Sequence, residues 1–455
     1  MGAIHLEGLK QNIVTARYAG TGKPMADVEI EILCDGVRVG RASPLFPQVG
    51  GGDLGAPHGI VRFALAPVTT SVERTIAVRE MGTSAYVRGI FIQTPRCLAS
   101  GIFDLDIMPL HVAPLMSIDG FQFSGGLLEI SGLALAAHGD LRNLTIECEP
   151  GVVADVRYGL ANPGAGEVLW YWPNADHSMF QISIQLATTQ HKGDFFKLRF
   201  RAAGRPDDEF ERIRTTFLIP KHMDSFLNYP DANNLSRVQH FATISSVGIN
   251  GTSDANRIYR LAELYRPLGA QTAILDWGAG HGRVLRHFPA LGYQGKLHGI
   301  DIDAENVAWA TRHLPYAEFR HGPLMPPTGY ADNSFDLVYG ISVMTHLTRS
   351  VQEAWLGEIR RILKPGGLAL LTFAGDTSVA FSSRFVTAAW LDAYKDGQPD
   401  DLPSGDLIGK IADPGYYRNV HVCAKDAAAL CARYMKVVAC HECMFGYQDV
   451  LVLEK

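Results

Sequence analysis

The segment Ile274-Leu275-Asp276-Trp277-Gly278-Ala279-Gly280-His281-Gly282-Arg283 constrains this chain more than any other. An apolar run delivers a carboxylate at its end, and three glycines at alternate positions then turn the backbone. Glycine accepts a sharp turn and lets a ligand lie against main chain without a Cβ clash. Open α/β sheets bind small molecules at this place, outside the carboxyl ends of their strands. A second acid, Asp301, follows 25 positions on, in Gly299-Ile300-Asp301-Ile302-Asp303. That is close to the offset of about 20 at which an acid meets ribose hydroxyls. Asp303 is read as the N-cap of the next helix. The spacing Gly-x-Gly-x-Gly differs from the Gly-x-Gly-x-x-Gly of dinucleotide sites, which speaks against a nicotinamide-linked oxidoreductase.

The surrounding pattern alternates. Helical periodicity starts at Ala255, with Ile258, Leu261, Leu264 and Tyr265 on one face. Strands are predicted at Thr272–Trp277, Leu297–Ile302, Phe335–Gly340 and Leu368–Phe373. Helices are predicted at Arg283–Leu291, Ala304–Leu314 and Ser350–Leu363. Alternation of this kind implies a parallel sheet with helices on both faces. Ser350 and Glu353 read as a capping box that starts the last helix, and Pro365-Gly366-Gly367 stops it.

The first 219 residues have another texture. Val28 to Leu33 alternates at period two, turns at Asp35-Gly36 and returns through Val37-Arg38-Val39-Gly40, a hairpin signal. Pro44 to Gly55 reads as a loop. Further strands are expected at 127–130, 152–156, 180–184, 196–200 and 216–219. Short strands between turn residues suggest β-sandwich-like modules, one over residues 1–110 and one over 111–219, ahead of an α/β domain at 220–455.

Composition narrows the function classes. A net charge of −6, with 47% apolar and 19% charged residues, excludes a disordered chain and gives no general attraction for nucleic acid. No basic stretch followed by an apolar run opens the chain, and no apolar run reaches the length of about 18 residues that spans a bilayer. The expectation is a cytoplasmic protein without a membrane span. The seven cysteines are an odd number on a long chain, which points to reduced thiols. Cys423, Cys431, Cys440 and Cys443 lie near His421 and His441. Strand positions three apart point to opposite faces, so these thiols read as buried apolar groups and no metal is expected.

The glycine segment resembles the first motif of class I S-adenosylmethionine-dependent methyltransferases. Ser334-Phe335-Asp336-Leu337-Val338-Tyr339 resembles that family's fourth strand, and Leu363-Lys364-Pro365-Gly366-Gly367 the turn before its fifth. Gly446-Tyr447-Gln448-Asp449-Val450-Leu451-Val452-Leu453 resembles its last strand. The resemblance covers about 240 to 455 and implies a doubly wound, Rossmann-like α/β fold with a seven-stranded sheet. It further implies that Asp276, Gly278 and Gly280 face the methionine end of S-adenosylmethionine. Asp301 would hold the ribose and Ile302 would pack on adenine. Pro323 and Leu324 would line the adenine edge, with Gly282 and Tyr339 completing the cofactor set. The family often places an Asp near the adenine. Here His321-Gly322-Pro323 stands, so adenine would be held by backbone.

Ser342-Val343-Met344-Thr345-His346-Leu347 and Ala354-Trp355-Leu356-Gly357-Glu358-Ile359 resemble bacterial methyltransferases associated with glycosyltransferases. The Glu31–Gly40 hairpin resembles β-modules attached to surface-glycan enzymes. An O-methyltransferase for a sugar, nucleotide sugar or surface glycan is therefore expected, with glycan-assembly proteins as partners. A methyltransferase for an unrelated small metabolite and an inactive cofactor-binding scaffold are the rivals. A hydroxyl acceptor benefits from a general base, and His346 and His421 are the candidates. Residues 376–420 are expected to form a lid or acceptor site, and 222–252 to cover the cofactor from the other side.

Overall fold

A computed structural model describes residues 3–10, 12–19, 28–42, 44, 58–66, 68–95, 102, 107, 110, 114–124, 126–135, 144–149, 154–169, 171–172, 175–185, 195–202, 205–220, 229–238, 244–383, 386–397, 401–404, 407, 411, 413 and 415–455. Two compact units divide the chain. One holds residues 1–190, 200–206 and 380–388; the other holds 191–199, 207–379 and 389–455.

The first unit is antiparallel β-structure. Strands Ala3–Lys10, Ile13–Ala19 and His58–Ala64 form one sheet. Strands Val37–Ala42, Ile30–Cys34, Val72–Glu80 and Val87–Gln93 pair in that order in a second. The two bury one common core, in which Val14, Ala16 and Tyr18 meet Ile30, Ile32, Ile76 and Val78. The hairpin read from the sequence is present. Asp35 and Gly36 both take positive φ, 53° and 80°, as a tight two-residue turn requires. Strands Ala154–Leu160, Met179–Gln185, Leu127–Leu135 and Leu115–Ser124 form a third sheet in that order. The expected loop over Pro44 to Gly55 lies, apart from Pro44, outside the described residues, as do positions 152 and 153.

The second unit carries the seven-stranded sheet. Its strands are β1 (Ala273–Trp277), β2 (Lys296–Asp301), β3 (Glu318–His321), β4 (Phe335–Gly340), β5 (Leu363–Phe373), β6 (Lys436–Phe445) and β7 (Gln448–Glu454). The order is β3-β2-β1-β4-β5-β7-β6; β7 pairs antiparallel with β5 and β6, and the other neighbouring pairs are parallel. Every residue of β1 and β4 is buried, because helices cover both faces. Its helices include α1 (Ala232–Val238), α2 (Ile244–Tyr265), α3 (Ala304–His313), α4 (Arg349–Ile362) and α5 (Ala424–Cys431). Successive strand residues point to opposite sides. Ile274, Leu297, Leu337 and Leu370 meet Ile258 and Leu261 of α2 and Val307 of α3. Leu275, Ile300, Val338 and Leu371 meet Trp355 and Ile359 of α4 and Leu430 of α5.

Three local expectations change. No α-helix spans Arg283–Leu291; two 3₁₀ turns stand there, Leu285–His287 and Pro289–Leu291. Pro289 has no N–H to give the Leu285 carbonyl, which accepts instead from Phe288 N at 3.3 Å. Ser350 and Glu353 form no capping box. Helix α4 begins one turn position earlier, behind Thr348, and Glu353 pairs with Arg433 at 2.6 Å. Leu264 turns away from the sheet and is 43% exposed.

A buried carboxylate ties the sheet's centre together. Asp336 on β4 accepts from Ala273 N at 2.9 Å, Arg266 Nη2 at 3.0 Å and Lys364 Nζ at 2.6 Å. Asp336→Ala leaves a buried N–H and two cations without their acceptor. It is expected to cost about 3 kcal/mol in urea unfolding; a loss under about 0.5 kcal/mol contradicts this role.

Candidate functional site

A cleft opens at the carboxyl ends of β1, β2 and β4. Its wall is main chain where β1 runs into the glycine loop. Gly278 N and Ala279 N both donate to Ile300 O, at 2.9 and 3.1 Å, so the loop is tied to the end of β2. Gly278 has φ 83° and Gly280 φ 53°, in the left-handed region. A Cβ on Gly278 would stand 2.4 Å from Val343 Cγ2, and one on Gly280 would stand 2.8 Å from Val238 Cγ2. The two glycines therefore serve both turn and close approach.

Of the eleven residues singled out from the sequence, seven line this cleft: Asp276, Gly278, Gly280, Asp301, Ile302, Pro323 and His346. Four do not. Gly282 faces the core, where its Cβ would meet Leu314 Cδ1 at 2.6 Å. Tyr339 is fully buried behind β1, its ring stacked on Phe288 at 5.8 Å. Leu324 packs into the α4 side of the core and offers its carbonyl to Trp355 Nε1 at 3.2 Å. His421 is buried edge-on to Trp390 at 5.4 Å.

Asp301 stands at the centre of the lining. Its Oδ2 accepts from Gly280 N and its Oδ1 from Asp303 N, each at 2.7 Å. One lone pair of each oxygen is thereby fixed, and the carboxylate still borders the cleft. Asp303 is the N-cap of α3, as read from the sequence, accepting from Glu305 N and Asn306 N. Burial pushes Asp301 up to about 6, against the pull of the two N–H groups. Burial also pushes Asp276 up to about 7. The Tyr339 hydroxyl and the Arg283 guanidinium oppose that shift, although the hydroxyl reaches no hydrogen bond of normal geometry. His421 is held down at about 4, by burial and then by repulsion from His346.

His346 follows β4 on the 3₁₀ turn Met344–His346. Its Nδ1 lies 2.7 Å from the Arg418 carbonyl, and its ring stacks on Tyr417 at 4.1 Å. A carbonyl only accepts, so Nδ1 carries the proton and Nε2 keeps its lone pair in the neutral ring. Nε2 lies 3.5 Å from Ser342 Oγ.

The sequence did not mark Arg237, Val238, Leu407, Tyr416 or Tyr417, which also line the cleft. Arg237 clasps Asp303 and Glu305 from α1, at 2.7 and 3.0 Å. Leu407, Tyr416 and Tyr417 come from the stretch expected to form a lid or acceptor site. No local motif flags any of them, because each reaches the cleft through a distant contact. Most of 222–231 and 239–243 lies outside the described residues.

Among the described residues, no cluster of three His, Cys, Asp or Glu side chains is placed to hold a metal ion. No helix among them is long and apolar enough to cross a membrane.

The family comparison falls on the same segment. Residues 274–367 match the family model described as a methyltransferase domain. The chain is 30% identical over 122 residues to a ubiquinone biosynthesis O-methyltransferase of Maricaulis maris, covering 26% of this chain and 46% of that one. It is 34% identical over 106 residues to an arsenite methyltransferase of Aquipseudomonas alcaligenes, covering 21% and 30%. A solved SAM-dependent methyltransferase from Methanosarcina mazei aligns at 20% identity over 43% of this chain and 97% of that one, with a TM-score of 0.34. The chain spans less than half the length of these curated relatives. Over residues 274–367 it is thus similar to methyltransferase domains, and the solved structure named above is described as S-adenosylmethionine-dependent. The residues present fit that cofactor: two positive-φ glycines leave main chain bare, and a buried carboxylate stands at the end of β2.

Proposed function

We propose that the chain O-methylates a hydroxyl of a sugar, nucleotide sugar or surface glycan, with His346 as general base. The observation that carries the reading is the fixed tautomer of His346, whose Nε2 lone pair stands at the wall of the Asp276–Asp301 cleft. Asp301 would hold the ribose hydroxyls, Ile302 and Pro323 would pack on the adenine, and Asp276 with the loop N–H groups would face the methionine end. When bound, S-adenosylmethionine supplies a methyl group on a sulfonium, whose carbon–sulfur bond breaks with its electron pair left on sulfur as an acceptor oxygen takes the methyl. His346 Nε2 takes the proton that this oxygen loses, and passes it to water. Tyr417 and the Arg418 carbonyl keep the ring in place for that transfer.

The sugar class rests on the resemblance of the Glu31–Gly40 hairpin to β-modules of surface-glycan enzymes and of the 342–347 and 354–359 segments to glycosyltransferase-associated methyltransferases, with glycan-assembly proteins as proposed partners. A small non-sugar metabolite is the second reading, favoured by the relatives whose names specify ubiquinone and arsenite. Transfer of a labelled methyl group to a panel of nucleotide sugars, glycans and phenols decides between them. Labelled sugar supports the first, labelled phenol alone supports the second, and no labelled product overturns both.

The cleft's carboxyls set a pH dependence. Asp276 and Asp301 titrate near 7 and 6 in the free protein. A cationic ligand favours their ionised forms, so binding releases protons and affinity falls as pH falls. If only the doubly ionised form binds, the Kd at pH 6 is about 20-fold above that at pH 8. The folded-state values lie above the unfolded ones, so the stability these groups contribute is present at low pH and lost as pH rises through 6 to 7. Calorimetry in buffers of different ionisation enthalpy checks both the Kd trend and the released protons. A Kd that falls on acidification contradicts the assignment.

A further inference from the structure

Ser342, the second residue after β4, has φ 58°, a left-handed backbone that disfavours any residue with a Cβ. Strain of this kind persists where neighbours over-determine it. Here three side-chain contacts do so. Ser342 N donates to Thr372 Oγ1 at 2.7 Å, and Thr372 Oγ1 donates to Gln448 Oε1 at 2.8 Å. Gln448 Nε2 then donates to Ser342 Oγ at 3.0 Å. Residues after β4, in β5 and at the start of β7 thus close a ring.

The ring fixes every proton but one. Thr372 spends its hydroxyl proton on Oε1, which sets the orientation of the Gln448 amide. Ser342 Oγ accepts from that amide and keeps its own proton and a second lone pair. Two partners share these: Thr345 Oγ1 at 3.2 Å and His346 Nε2 at 3.5 Å. With neutral imidazole, the Ser342 hydroxyl turns toward the Nε2 lone pair. With imidazolium, it turns toward Thr345 and offers its lone pair to Nε2–H.

We propose that Gln448 and Thr372 are positioning residues for His346: they hold Ser342 Oγ opposite Nε2, so that the imidazolium has a partner for the proton it has taken up. The proposal rests on the reading of His346 as base. A bond to a charged ring outweighs one to a neutral ring, so Ser342 Oγ favours the protonated form. The other titratable groups around His346 are the Tyr417 phenol, whose ring stacks on it, the Tyr416 phenol in the same cleft lining, and His421. Asp276 and Asp301 face it across the cleft. His421, held neutral by burial near neutral pH, adds no charge there, and the carboxylates favour protonation. Thr372 of β5 and Gln352 of α4 are neutral.

Nitrogen-15 NMR of the histidine rings in the full chain tests this without any methyl acceptor. His346→Gln identifies the His346 signals by their loss. In the wild type, the neutral ring is expected as the Nδ1–H tautomer. Ser342→Gly, which suits φ 58°, is expected to lower the His346 midpoint by about half a pH unit or more. Gln448→Met is expected to move it the same way. Gln448→Glu is expected to raise it, because a carboxylate draws the Ser342 proton away and leaves lone pairs toward the imidazolium. Thermal unfolding checks that each variant folds; if Ser342→Gly does not, the two Gln448 variants decide. An unchanged midpoint in Ser342→Gly and Gln448→Met overturns the proposal. If the midpoints shift but no variant or wild type transfers methyl groups, the functional reading fails and the positioning stands.

Discussion

Asp301→Ala is expected to weaken S-adenosylmethionine binding by about 10² to 10³-fold in calorimetry. Two losses add. On the proposed reading the side chain no longer accepts from ribose hydroxyls, and charge-assisted bonds of this kind contribute about 1.5–3 kcal/mol each. The N–H groups of Gly280 and Asp303 also lose their acceptor. The glycine loop is then free to leave the main-chain surface it presents to the cleft. Asp301→Asn keeps one acceptor oxygen and should fall between wild type and alanine. A Kd for Asp301→Ala within about threefold of wild type removes the ribose role.

His346→Gln is expected to lower kcat by about 10² to 10⁴-fold with whichever acceptor the labelling panel identifies, while the cofactor Kd stays within about twofold. The split follows from position. His346 lies on the turn after β4, and its bonds run to Arg418 and Ser342 and not to Asp276 or Asp301. Glutamine keeps a donor for the Arg418 carbonyl but offers no base near neutral pH. The pH–rate profile should also lose its acid limb. An equal loss in cofactor affinity and kcat places His346 among the binding groups. An unchanged kcat removes it from catalysis, and His421, buried and low in proton affinity, does not replace it.

The parts legible in the sequence are those whose physical requirement is local. Left-handed turns at Gly278 and Gly280 need glycine, and a strand buried on both faces reads as a continuous apolar run, as in β1 and β4. The N-cap at Asp303 and the hairpin at Asp35-Gly36 follow from the same short-range chemistry. The segment 283–291 misleads because Val284, Leu285, Phe288 and Leu291 carry helical spacing, while Pro289 removes the donor that a helix needs. At α4 the N-cap position falls to Thr348, whose hydroxyl makes no capping bond, and Glu353, the other half of the expected box, pairs with Arg433 and Arg349 instead. Gly282 fits the motif but answers a packing need, the close approach of Leu314. The Arg237–Glu305, Tyr416–Trp355, His346–Arg418 and Gln448–Ser342 contacts join residues 61 to 106 positions apart. Nothing in a local window encodes those distances.

The most direct measurement is a crystal structure of the full chain with S-adenosylhomocysteine. The nucleoside is expected along Gly278–Gly280, its ribose hydroxyls within hydrogen-bond reach of the Asp301 carboxylate, and its thioether on the side of the cleft lined by His346. A nucleoside bound in another cavity, or one seated here with Asp301 turned away from the ribose, contradicts it.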